Sequence, residues 1–152
     1  MMNKVRRIVT GFNDDGKSII LIDADATNHI DAPGPDLRIT DIWVTETIPA
    51  DNTGFEDMGE REPARTLESG TIFRYVEFDP GHGVDEPLWH ATDTVDYVVI
   101  VKGELYCMMD EGEVLLKAGD LLVQRGTNHA WVNRSNESCV MVGVMISAIP
   151  LS

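Results

Sequence analysis

The chain has 152 residues, 43% of them hydrophobic, and sets 12 Lys and Arg against 26 Asp and Glu for a formal charge of −14. That length suits one domain with a substantial core. The acidity argues against a nucleic-acid surface, which needs cations to neutralise phosphates, against an anionic membrane, and against a bulky polyanionic substrate.

The first residues, Met1 to Arg7, are basic but lead into no apolar stretch, so no signal peptide is expected. No apolar run reaches the length of a bilayer-crossing helix. Two apolar runs, Ile8–Thr10 and Ser18–Ile22, flank the turn signal Asn13-Asp14-Asp15-Gly16 and predict an N-terminal β-hairpin over 6–22. Residues 23–38 are rich in Asp, Asn, Pro and Gly and read as a loop around a solvated His29. Leu37 to Thr47 alternates as a strand, with Ile39, Asp41, Trp43 and Thr45 on one parity. Residues 49–70 show no helical stripe and form a long irregular excursion, the kind of segment that often serves as a lid or contact.

From residue 71 onward the pattern is dense. Strands are expected at Thr71–Phe78, Val95–Val101, Glu104–Met109, Glu113–Leu116, Leu121–Gln124, His129–Asn133 and Cys139–Ile146, each separated by Gly, Asp or Asn turns. Short strands every ten residues or so, without helices between them, mean an all-β sandwich or barrel. Asp110-Glu111-Gly112-Glu113 lacks calcium-loop spacing and reads as a charged hairpin turn. Cys107 and Cys139 sit in apolar strands and read as buried thiols, and a cytoplasmic location is expected by default.

Two histidine contexts carry the chemistry. In the first, His90, Thr92 and Asp96 lie between Gly83 and Gly103, and period two puts His90 and Thr92 on one face with Asp96 able to turn back towards them. In the second, Arg125-Gly126-Thr127-Asn128-His129 enters a strand that puts His129, Trp131 and Asn133 on one face. Gln124 shares parity with Leu122 and is a candidate for the same pocket. His82, between two glycines, is expected on a rim turn, and Tyr97 should face outwards or into an interface.

These two segments resemble the paired motifs of the cupin superfamily, over about residues 71–146. They are similar in particular to short bacterial single-domain cupins that read His-x-Thr-x-x-x-Asp-Tyr and then Gln-Arg-Gly-Thr-x-His-x-Trp. The resemblance implies a double-stranded β-helix, the cupin jelly-roll barrel, as one domain over 1–152 with the hairpin as an N-terminal extension. It also implies a homodimer. A cupin site offers three His and one carboxylate to a divalent metal. Here the first His matches His90, the second is Thr92, the Glu is Asp96, and the motif-two His matches His129.

Two readings of His90, Asp96 and His129 follow. They hold a divalent transition metal such as Fe, Mn, Ni or Zn, as a two-His, one-carboxylate set. Otherwise they form a hydrogen-bonded cluster in which the carboxylate raises a histidine pKa. Thr92, Gln124 and Trp131 complete the expected pocket in either case. The function expected is a small-molecule enzyme of the oxygenase or isomerase/lyase type, with no catalytic residue assigned; the alternative is a metal-free metabolite-binding or sensor module.

Overall fold

Glycines and short polar turns reverse the chain repeatedly, and what lies between them is strand. A computed structural model describes residues 3–31, 34, 36–62 and 67–150. Eleven strands follow in order: β1 Arg6–Phe12, β2 Ser18–Asp25, β3 His29–Asp31, β4 Leu37–Thr45, β5 Thr71–Phe78, β6 Thr94–Lys102, β7 Glu104–Met109, β8 Glu113–Lys117, β9 Leu121–Arg125, β10 His129–Val132 and β11 Cys139–Ser147. No helix forms among the described residues.

The strands make three sheets with antiparallel pairings. A six-stranded sheet runs β3-β4-β5-β11-β6-β9, a three-stranded sheet runs β10-β7-β8, and β1 pairs with β2. The two larger sheets enclose the core, in which Phe78, Ile100, Leu105, Cys107, Trp131 and Cys139 are buried. This is the all-β jelly-roll barrel with an N-terminal hairpin, and its β5–β11 strands match the expected boundaries to within a residue or so. Burial pushes the Cys139 thiol up to about 12 and raises Cys107, so both stay protonated and unreactive.

Three expectations change. The predicted loop 23–38 contains β3, whose register sets His29 opposite Thr40 and Ile30 opposite Ile39, so His29 is half-buried rather than solvated. The single parity of β4 breaks at a bulge between Asp41 and Trp43. Ile39 and Asp41 therefore face inwards opposite Val76 and Arg74, while Trp43 and Thr45 turn outwards opposite Phe73 and Thr71. A bulge of one residue flips every later side chain, and nothing in the alternation of residues announces it.

The excursion after β4 is irregular as expected, but its described residues are tied down. Asp57 takes a two-pronged ion pair from Arg7 at 2.5 and 2.7 Å. Arg61 pairs with Glu46 and Glu56, and its carbonyl accepts from Asn28. These contacts fasten the excursion to the root of the hairpin and to the residues around β2, β3 and β4. Residues 63–66 lie outside the described set.

Candidate active site

Gly83 and Gly126 place the two histidine segments side by side. Gly83 has φ of 70° and lies so close to the Trp131 carbonyl that a Cβ would sit 2.6 Å from it. Only glycine permits both the conformation and the approach, which lays the turn before His90 against β10. Gly126 has φ of 64° in the turn between β9 and β10, packed on the backbone of Thr92 and Thr94.

With the segments joined, His90 and His129 pair through their backbones, each N–H donating to the other's carbonyl at 3.0 Å. Residues directly opposite in an antiparallel bridge present side chains to the same face. The two imidazoles accordingly lie 4.3 Å apart, centre to centre, tilted by 55°. His129 is buried and its ring meets the edge of Trp131 at 5.3 Å, whereas His90 is exposed.

Each ring is fixed from behind by a main-chain carbonyl. His90 Nδ1 donates to Leu88 O at 3.0 Å, and His129 Nδ1 donates to Thr127 O at 2.8 Å. A carbonyl only accepts, so the proton of each neutral ring sits on Nδ1 and the lone pair on Nε2. Burial, with a smaller effect from His90, lowers the His129 pKa and keeps that ring neutral.

Both rings open onto a cavity of about 420 Å³. Its wall is mostly apolar, with Phe78, Val98, Trp131, Met141 and Met145 from the strands and Leu88 and Trp89 from the loop before His90. Thr92, Asp96 and Arg74 add polarity. The Thr92 and Thr94 hydroxyls share a hydrogen bond at 2.7 Å. Asp96 projects from β6 between Met145 of β11 and Gln124 of β9. Its Oδ1 is buried without a hydrogen-bond partner among the described residues, and burial raises its pKa above the ordinary carboxylate range.

The sequence-predicted residues thus divide. His90, Thr92, Asp96, His129 and Trp131 line one cavity. Gln124 is buried beneath it instead, holding Thr127 Oγ1 at 2.5 Å and donating to Cys107 Sγ at 3.8 Å, so it supports the turn into His129. His82 lies on its predicted turn but is buried, pairing with Asp36 at 2.7 Å and meeting Phe78 edge-on at 5.1 Å. Asn133 does not line the cavity either; its amide donates to the carbonyls of Phe78, Asp79 and Glu137.

Comparison with known proteins decides the family. The model of the cupin domain matches residues 74–146. A cupin-domain-containing oxidoreductase of Neurospora crassa is 33% identical over 136 residues, covering 87% of this chain and 68% of that protein. The chain belongs to the cupin family. The oryzines biosynthesis cluster protein J of Aspergillus oryzae is 44% identical over 87 residues, 57% of this chain and 47% of its own. This cupin therefore spans about half the length of that relative, and 60% of the phomopsin biosynthesis cluster protein C' of Diaporthe leptostromiformis. These sequence relatives are fungal, where the motif resemblance pointed to short bacterial proteins. An RmlC-like cupin from Shewanella frigidimarina shares the fold, with a TM-score of 0.52 at 18% identity over 80% of this chain and 86% of its own.

Does this cupin's cavity suit the metal the family implies? The Nε2 lone pairs of His90 and His129 are ligand atoms of the right kind, held by the carbonyl contacts that orient metal-binding histidines. However, no three His, Cys, Asp or Glu side chains among the described residues are grouped closely enough to hold an ion. Thr92, at the position of the family's second His, has its hydroxyl engaged with Thr94. As a three-ligand set the residues do not fit. The alternative cluster also changes: no described hydrogen bond joins Asp96 to either imidazole, and His129 shifts down through burial rather than up through a carboxylate.

Sequence reasoning missed Arg74 and Asp41. Arg74 lines the cavity and is gripped by the buried Asp41 carboxylate at 2.6 and 3.1 Å. A signal was available: Arg74 shares parity with Ile72, Val76 and Phe78, a cation on the apolar face of a strand.

Proposed function

We propose that this cupin is an enzyme that moves a proton on an apolar, uncharged or weakly charged organic molecule bound in the barrel. The reading rests on one observation: two imidazoles, each tied at Nδ1 to a main-chain carbonyl, share a largely apolar cavity with their Nε2 atoms left as bases. His129, buried and held neutral, is the stronger candidate for general base, and His90 at the exposed side takes the proton onwards to solvent. Asp96, with its pKa raised, is the group in this wall suited to hold a proton and donate it. Arg74, kept rigid by Asp41, draws a polar oxygen of the substrate towards the inner wall.

The relatives' names, oxidoreductases and biosynthesis cluster proteins, support turnover over passive binding. Loss of a proton accompanies the oxidation of an alcohol or an activated carbon, and that half of such a reaction is what these residues supply; the two electrons pass to an external two-electron acceptor, which the assay mixture must include. The test is a panel of hydroxylated and carbonyl-bearing apolar compounds assayed with wild type, His90→Ala and His129→Ala, alongside elemental analysis of each. Turnover that falls with both variants supports proton transfer. A compound bound intact and never consumed identifies a binding module. Near-stoichiometric metal that disappears with His129→Ala replaces this reading with a metal centre.

A further inference from the structure

A glycine inside a β-strand needs a reason, because it packs no side chain and loses more freedom on folding than any other residue. The chain has 13 glycines, and nine of them take a left-handed backbone that disfavours any side chain. At Gly11, Gly34 and Gly59 a Cβ would stand 2.1, 3.0 and 2.3 Å from a neighbouring atom. Gly143, in the middle of β11, belongs to neither group. Its φ is not positive. Among the described residues beyond its chain neighbours, a Cβ there would meet Tyr97 O at 3.5 Å and the Val98 side chain at 3.6 Å, both ordinary contacts. The fold does not ask for glycine here.

The cavity does. Gly143 is buried and lines it from the inner face of the six-stranded sheet. Its partners across the register are Arg74 on β5 and Val98 on β6, and Met141 and Met145 follow on the same face of β11 at two residues either way. All four line the cavity, so the missing side chain leaves a depression in its floor. Four residue steps of ~3.4 Å set Met141 and Met145 about 14 Å apart, and two strand spacings of ~4.8 Å set Arg74 and Val98 about 10 Å apart. That is room for one flat ring lying on the peptide backbone.

The surroundings favour a ring with a π face. Methionine sulfur packs well against aromatic edges, a guanidinium packs on an aromatic face, and Phe78 and Trp131 complete an aromatic wall. Asp96 pairs in register with Met145, and its Oδ1 has no hydrogen-bond partner among the described residues. We infer that Gly143 is the specificity-determining position of this cupin: the substrate carries a planar unsaturated ring that lies on the β11 backbone there, with an oxygen substituent turned towards Asp96. The inference rests on the proton-transfer reading of the same cavity and names its substrate class.

Calorimetric titration of the intact chain with 2-naphthol, and with the caged alcohol 1-adamantanol of the same carbon number, tests it. Wild type should bind 2-naphthol about tenfold or more tightly than 1-adamantanol. Gly143→Val should weaken 2-naphthol by about tenfold or more, and Gly143→Ala by a few-fold, because each fills the space the ring occupies. Gly143→Ala should also melt no lower than wild type, since the strand accepts a methyl group at that point. Three results overturn the inference: a wild type that binds neither alcohol or prefers the caged one, a 2-naphthol affinity that both variants leave unchanged, or a Gly143→Ala protein that melts well below wild type. Turnover does not enter these measurements. Proton transfer by His129 can therefore fail with this pattern intact, and this pattern can fail while turnover still falls with His129→Ala.

Discussion

Two buried polar regions sit at opposite ends of β10 and are built on opposite plans. At its C-terminal end, Asn133 is wholly buried and every polar atom of its amide is used. Its nitrogen donates to three carbonyls, and its oxygen accepts from the Ser135 N–H and hydroxyl at 3.0 and 2.8 Å. At its N-terminal end, His129 is nearly as buried, yet its Nε2 stays open to the cavity side, and nearby Asp96 keeps an unpartnered oxygen. Saturated polar groups hold a turn in place; unsaturated ones in a preformed cavity cost stability and remain available for chemistry. The same short stretch, residues 129–133, thus carries a reactive device at its start and a structural one at its end.

The largest effect that can break this contrast belongs to the reactive end. His129→Ala should lower turnover by about 10²- to 10⁴-fold, the usual contribution of a general base, while circular dichroism and melting stay near wild type. Retained turnover in that variant would mean that the open Nε2 has no role.

Next comes the structural end. Asn133→Ala removes the amide's bonds to three carbonyls and loosens the turn, although Asp79 O keeps the His82 N–H and Glu137 O keeps the Ser135 hydroxyl. Urea unfolding should therefore show a loss of about 2 kcal/mol, while the His129 ring keeps its contact with Thr127. A loss well under 1 kcal/mol would show that water replaces the amide and that the region is not saturated in the sense argued.

Asp96→Asn sharpens the comparison by sign. A group whose folded pKa is raised stabilises the fold fully below its unfolded value and loses that contribution as pH rises through the folded pKa. Wild type should therefore lose stability relative to Asp96→Asn as pH climbs from about 4 towards neutral, the ordinary carboxylate value marking where the divergence begins. Chemical denaturation at several pH values would show it, and parallel curves would contradict a desolvated carboxylate. The smallest effect is expected on the surface, where Arg134 forks onto Glu113 with both groups in solvent. Glu113→Gln should leave the melting temperature unchanged.

How far these regions were legible from sequence follows the same division. Strands β5–β11 announce themselves because turn residues and apolar runs are local signals, whereas the meeting of His90 with His129, on segments far apart in sequence, is implied only by the resemblance to the paired cupin motifs. The β4 bulge, the short β3 and the support role of Gln124 depend on partners distant in sequence. Parity alone placed Asn133 beside Trp131 on the pocket face, yet the amide turned to carbonyls that the β5 end and the 133–138 turn bring to it. The pairing of Asp41 with Arg74 is likewise a cross-strand event, visible beforehand only as an arginine among apolar neighbours.

The central claim is that His129 stands neutral in the cavity with its proton on Nδ1. Long-range ¹⁵N–¹H correlation of the histidine rings across a pH titration reads both properties at once. The Nδ1–H tautomer should persist at neutral pH, and the midpoint of protonation should fall below the ordinary histidine value of about 6.5. An Nε2–H tautomer, or an imidazolium at neutral pH, would contradict the account.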